Sequence, residues 1–195
     1  MDFIRNIFAI IGVLACVAGI TAAPHAMKIK GAFDTFDEKA MDTYLEMFTS
    51  ILETGNAAEA TVWKAQVSED LTAEDVEETI KFVANEHNIQ NVGELPLYRQ
   101  VQAMSGKEYR YVKIYMFCNA MTAAMMLDYS DAYSAYLPCR LSVVEDKEGR
   151  LWIYTLNMDP MIHGGKPLPA ELKAEAEKVK MIMQDVLKRG SEGDF

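Results

Sequence analysis

Residues 7–23 carry no charged side chain and consist largely of Ile, Val, Leu, Ala and Gly. A stretch this apolar must be buried in a bilayer, buried in a core, or removed. Continued to Met27, it reaches the roughly 20 residues that cross a bilayer as a helix. Arg5 precedes it, and Lys28 and Lys30 come after it. A cleaved signal peptide fits less well, because the basic start is weak and Pro24 stands directly after Thr21-Ala22-Ala23. A lipoprotein signal is suggested by Val13-Leu14-Ala15-Cys16, but the residues after Cys16 stay apolar. Length favours the third reading, an uncleaved single-pass anchor over residues 1–27. Gly12, Cys16, Gly19 and Ala23 recur at helical spacing, and a stripe of small residues lets a second transmembrane helix approach closely; Gly and Ala are also simply common in such segments. The expected partners are therefore the lipid bilayer and transmembrane subunits of a larger complex. The basic residues around the segment are a weak guide to orientation. A signal-like N-terminus exports the chain behind it, so the folded part is expected outside the cytoplasm.

The rest of the chain has the means to fold. Half of the 195 residues are apolar, enough for one domain with a real core. The formal net charge is −10, which repels nucleic-acid phosphates and anionic lipid headgroups alike. No nucleic-acid partner is expected.

Thr35-Phe36-Asp37-Glu38 reads as a capping box. Behind it, Met41, Tyr44, Leu45, Phe48, Ile51 and Leu52 keep helical spacing up to Gly55. This amphipathic linker, residues 28–57, has three possible seats: the domain, a partner, or the membrane surface. Its polar face is mostly acidic, which makes lipid the least favoured. Residues 58–190 form the domain. Residues 60–67 alternate as a first strand. Thr72 and Asp75 start a helix whose buried stripe is Val76, Ile80, Val83 and Ala84. Residues 96–104 make a short helix stopped by Gly106. In the strand 109–118, Val112, Ile114, Met116 and Cys118 lie on one face, and Tyr109, Tyr111, Tyr115 and Phe117 lie on the other. Asn119 caps a helix carrying Met121, Met125 and Met126. A short helical turn spans 131–137. Residues 139–145 and 151–156 pair as a hairpin about the turn 146–149. Residues 157–169 form an irregular loop. A terminal helix over 170–189 turns Leu172, Ala176, Val179, Met183 and Val186 inward, and the tail 191–195 frays. The order predicts an α+β domain: two layers, a mostly antiparallel sheet with helices on one face. The aromatic strand face is either open or covered by the amphipathic helix, and the covered arrangement is preferred.

The chain has no Ser-His-Asp set, phosphate-binding loop, dinucleotide-binding glycine pattern or zinc spacing. Enzymatic activity is not expected. Of the three histidines only His163 sits in a specialised loop. Cys118 ends a strand just before a helix N-terminus, a position that favours the thiolate. Cys139 opens the next strand. If the two strands are neighbours, the sulfurs can meet, either as a disulfide in an oxidising compartment or as ligands. Met116, Met121, Met125, Met126, Met158 and Met161 lie near them in sequence, Met121, Met125, Met158 and Met161 being the ligand candidates, and soft sulfur ligands with a histidine suit copper(I). Haem is a second candidate for the same set. Against both stands the ordinary role of methionine as core filler.

The pieces Phe117-Cys118-Asn119, Leu137-Pro138-Cys139-Arg140 with its adjoining strand and the turn 146–149, and Met158-Asp159-Pro160 together resemble the domain-of-unknown-function 302 family. The resemblance covers about residues 60–187 and departs from the family at Ala120, where relatives often carry proline. It implies a compact two-layer α+β domain with no settled activity. It also implies a bacterial setting linked to sulfur or respiratory metabolism, and so an inner-membrane protein with a periplasmic domain. No catalytic residue carries over. The expected function is a non-enzymatic binding module near the Cys/Met/His set. Its alternatives are an accessory subunit of a membrane respiratory or redox complex, and a thiol-redox protein using Cys118 and Cys139.

Overall fold

A computed structural model describes residues 19–21, 23–25, 27–31 and 33–195. Gly12 and Cys16 lie outside the described residues, as does most of the proposed anchor; Gly19 and Ala23 are exposed. Among the described residues no helix is long and apolar enough to cross a membrane.

The elements are α1 (Ala40–Thr54), a 3-10 turn (Glu59–Thr61), β1 (Val62–Gln66), α2 (Ala73–Glu86), β2 (Gln90–Leu95), α3 (Leu97–Ser105), β3 (Val112–Cys118), α4 (Ala120–Tyr129), a second 3-10 turn (Asp131–Ala135), β4 (Cys139–Glu145), β5 (Leu151–Leu156), α5 (Asp159–His163) and α6 (Ala170–Glu192). The five strands form one sheet in the order β1-β5-β4-β3-β2. Every neighbouring pair is antiparallel.

Tyr115 and Phe117 on β3, Leu141 and Val143 on β4 and Ile153 on β5 are essentially inaccessible, and they pack with Val76, Ile80 and Val83 of α2 and Met183 and Val186 of α6. The aromatic face of β3 is thus the covered face. Its cover is α2 and α6, not the amphipathic helix. The opposite face, Val112, Ile114 and Met116, is half-buried.

Local signals explain most boundaries. Thr72 Oγ1 accepts from the Asp75 backbone N–H, and the Asp75 carboxylate accepts from the Thr72 backbone N–H, which caps α2 at both orphan donors. Asn119 Oδ1 accepts from the N–H groups of Met121 and Thr122 and starts α4. Gly55 and Gly106 end α1 and α3 in the left-handed conformation that an L side chain resists.

Four expectations change. β2 is an edge strand that sequence periodicity does not reveal. The loop 157–169 holds α5, a short helix with Pro160 in its first turn. α6 runs through Glu192, and Gly190 and Ser191 are buried, so the chain is held beyond residue 190. A Cβ on Gly190 would stand 2.5 Å from Ile80 Cγ2 and 3.2 Å from Ile153 Cδ1, which explains why a helix-weakening glycine sits there. Finally, α1 begins at Ala40 without a side-chain cap. The box at 35–38 lies ahead of that start, and within it the Asp37 carboxylate accepts from the Lys39 backbone N–H, His163 and Lys173.

A ring of alternating charge ties β2 and β3 to α2. Lys81 bridges Glu77 and Glu94 at 2.5 and 2.6 Å, and Lys113 bridges the same carboxylates at 2.6 and 2.7 Å. The Tyr115 hydroxyl donates to Glu77 at 2.8 Å. Burial opposes ionisation of Glu94, but hydrogen bonds from Lys113 and Lys81 prevail and hold it down at about 2.

Candidate functional site

The sheet places the two cysteines side by side. β3 and β4 pair with Phe117 opposite Cys139, so Cys118, one residue on, ends its strand beside the start of β4. The chain enters β4 through Leu137 and a cis bond to Pro138. Both cysteines are half-buried free thiols. Burial, and then the nearness of Cys118, pushes the Cys139 thiol up to about 11, so it is a neutral thiol at ordinary pH.

Cys118 and Cys139 line a cavity closed by Met158 and Met161 from the α5 region, Met126 from α4, and Tyr133 and Tyr136 from the second 3-10 turn. Its free volume is about 20 Å³. That is room for a single water or a bare ion, whereas organic ligands occupy roughly 300 Å³ or more. A second small cavity, also lined by Cys139, shares Met158, Met161 and Tyr136 and adds Met183 of α6. Cys139, Met158 and Met161 are common to both, so they form the centre of a sulfur cluster.

The other proposed ligands lie elsewhere. Met121 is 76% exposed and lines a surface groove with Asn88, Gln90 and Val92, which Cys118 also borders but Cys139, Met158 and Met161 do not. Met125 packs at the margin of the main core. His163 is fully buried but lines neither sulfur cavity. Its Nδ1 is hydrogen-bonded to Asp37 Oδ1 at 3.0 Å, and its Nε2 lies 3.0 Å from Glu177 Oε1 without the alignment of a hydrogen bond. Among the described residues no three His, Cys, Asp or Glu side chains converge to hold a metal ion. The sulfur cluster is therefore centred on the Cys139 thiol and the thioethers of Met158 and Met161, with Cys118 at the edge of one of the two cavities. Met126 and Met183 border it as well; Met183 was legible only as a core methionine.

Asp37 has three partners. It accepts from His163, from Lys173 Nζ at 2.6 Å and from the Lys39 backbone N–H at 3.1 Å. Burial works against its charge, yet these bonds, Lys173 first, hold its carboxyl at about 2. Lys180 is committed to Asp159 in the same way.

Beside the sulfur cluster opens a larger cleft of about 560 Å³. Its walls are Tyr44 and Met47 of α1, Tyr129 at the end of α4, and Tyr133 and Tyr136, which also border the sulfur cavity. Met161 belongs to both spaces. Tyr44 fixes α1 over this cleft by donating to the Gly164 carbonyl at 2.5 Å. The recurrence of Tyr129, Tyr133 and Tyr136 at helical spacing is the sequence signal that could have located it.

Comparison with known proteins identifies the fold. The family described as "Domain of unknown function DUF302" matches residues 63–190. A solved structure, "Crystal structure of uncharacterized conserved protein DUF302 from Bacillus stearothermophilus", is similar with a TM-score of 0.55 at 17% identity, over 66% of this chain and 97% of the other. No curated protein matches.

Proposed function

The chain belongs to the DUF302 family, and from that premise we propose that it is a membrane-tethered, non-enzymatic binding module whose sulfur cluster takes one soft monovalent cation, copper(I) being the expected one. The tether is the uncharged segment 7–23, in a bacterial inner membrane with the domain on the periplasmic side. The observation that carries the reading is the convergence of Cys118, Cys139, Met158 and Met161 on a space of about 20 Å³. That volume suits an ion and not haem.

Charge balance favours the same cation. Binding replaces the Cys139 S–H bond by an S–Cu bond and releases one proton. One thiolate with one monovalent ion leaves no net charge in an apolar cavity, where an uncompensated charge is costly. Thioethers are soft, neutral donors that complete a copper(I) site but serve zinc poorly.

The test is anaerobic titration of the detergent-extracted full chain with copper(I) against a chromophoric copper(I) chelator. One equivalent should be withdrawn from the chelator, and Cys139→Ser and Met158→Leu should each weaken retention at least tenfold. Failure of the unaltered chain to compete would overturn the reading.

A second reading, an accessory subunit of a membrane complex, draws on α1. Met41, Leu45, Phe48 and Leu52 are 46%, 54%, 58% and 69% exposed. An apolar stripe of this extent ordinarily marks a contact surface. Migration of the extracted protein as a lone small species on native electrophoresis would count against it. A thiol-redox role has the least support, because burial keeps Cys139 protonated.

A further inference from the structure

We propose that the tyrosine-walled cleft beside the sulfur cluster is a separate binding site for a small, flat aromatic carboxylate. The first ground is electrostatic. The chain holds 29 Asp and Glu against 19 Lys and Arg, yet no acidic residue lines this cleft, and Lys166 does. Its neighbours along the chain are committed, Lys173 to Asp37 and Lys180 to Asp159. Lys166 forms no ion pair among the described residues. In a protein of net charge −10, an acid-free hollow with one uncommitted ammonium group is where an organic anion is least repelled.

The second ground is shape. The volume of about 560 Å³ lies in the range of small-molecule sites. Tyr129, Tyr133 and Tyr136 succeed one another with ring centroids 6.2 and 6.5 Å apart and tilted planes. Such a row offers π-faces and edges to a flat ring system. The Tyr133 hydroxyl donates to the Met161 carbonyl at 3.1 Å, which fixes that ring.

The third ground is an available donor. Asn157 is 9% exposed, and its Oδ1 accepts from the Asp159 backbone N–H. Asn157 lines the cleft, and that bond orients its amide and leaves the N–H₂ group to donate to a ligand oxygen. The site is therefore an apolar, aromatic slot with a cation at its rim and an amide donor in its wall. An aromatic ring bearing one carboxylate matches each part.

The probe is 6-hydroxy-2-naphthoate, tracked by its own fluorescence anisotropy on the full detergent-extracted chain, with the neutral 6-hydroxy-2-naphthamide as comparison. The carboxylate should saturate one site and bind at least tenfold tighter than the amide. Lys166→Gln should remove that preference, lowering carboxylate affinity about tenfold, the usual scale of one charge-assisted hydrogen bond, while leaving the amide unchanged. Lys166 is exposed, so this variant should fold. Tyr129→Ala should weaken both probes. Cys139→Ser should weaken neither, which keeps this site's test distinct from that of the copper(I) reading. Equal binding of acid and amide, or an unaltered carboxylate affinity in Lys166→Gln, would overturn the proposal.

Discussion

His163 Nδ1 lies 3.0 Å from Asp37 Oδ1, with both side chains 1% exposed. The Asp37 carboxylate can only accept, so Nδ1 carries the hydrogen of this bond. Asp37 precedes α1 and His163 closes α5, so one buried contact fastens the linker helix to the loop that also carries Met158 and Met161. The backbone repeats the tie, since the Asp37 N–H donates to the Gly165 carbonyl at 2.8 Å.

Removing the carboxylate should therefore do more than loosen a surface segment. Asp37→Ala leaves a buried imidazole and the Lys173 ammonium without their shared acceptor, and a buried pair broken on one side costs about 3 kcal/mol. Urea unfolding should show that loss, and hydrogen exchange should rise in α1. Unchanged stability would mean that Asp37 is not holding this junction.

Acid should act on the same group. Asp37 is held at about 2, below its ordinary 3.8, and Glu94 at about 2, below its ordinary 4.5. A carboxylate depressed by folding stabilises fully above its unfolded value, and the stabilisation is lost as pH falls through the folded one. Unfolding free energy should thus decline from about pH 4.5 down to about pH 2. Asp37→Asn and Glu94→Gln should each flatten that decline. A slope unaltered in both variants would assign acid unfolding to other groups.

Gly190→Ala tests the seat of α6. Alanine favours a helix over glycine by about 1 kcal/mol. Here its methyl would meet Ile80 Cγ2 at 2.5 Å, a branch that moves only by a χ1 rotation or a backbone shift, and Ile153 Cδ1 at 3.2 Å. Overpacking of this kind costs roughly 1–3 kcal/mol. Net destabilisation by thermal melting is expected; a stabilised variant would show that the contact yields.

Lys113 sits at the centre of the charged ring, with its side chain 14% exposed. Lys113→Met should destabilise by about 2–3 kcal/mol, because Glu77 and Glu94 lose the more buried of the two cations that bridge them. The double change with Glu77→Gln should recover part of that loss in a double-mutant cycle. Strict additivity would contradict the coupling.

The hairpin of β4 and β5, the caps of α2 and α4 and the inward stripe of α6 were legible because each rests on a local rule. The edge strand β2 was not. Gln90, Asn91, Gly93 and Glu94 are poor strand formers, and a register shift between Asn91 and Gly93 breaks the alternation. The tie from Asp37, just ahead of α1, to His163 was not legible either, since its partner lies 126 positions away and no local motif can express it. The sulfur set was legible in its cysteines and in Met158 and Met161. Which methionines of α4 join them was not, since that helix is apolar nearly all round and its inner face is chosen by tertiary packing. His163 was drawn in by its closeness in sequence, whereas helix α5 turns it toward Asp37 and away from the sulfurs.

X-ray absorption at the copper edge of the copper(I)-loaded full chain tests the sulfur site most directly. The first shell should be sulfur alone, at a distance typical of copper(I) thiolate and thioether bonds, and should change in Cys139→Ser. A first shell containing imidazole nitrogen would contradict it, because no histidine lines the Cys139–Met158–Met161 cluster.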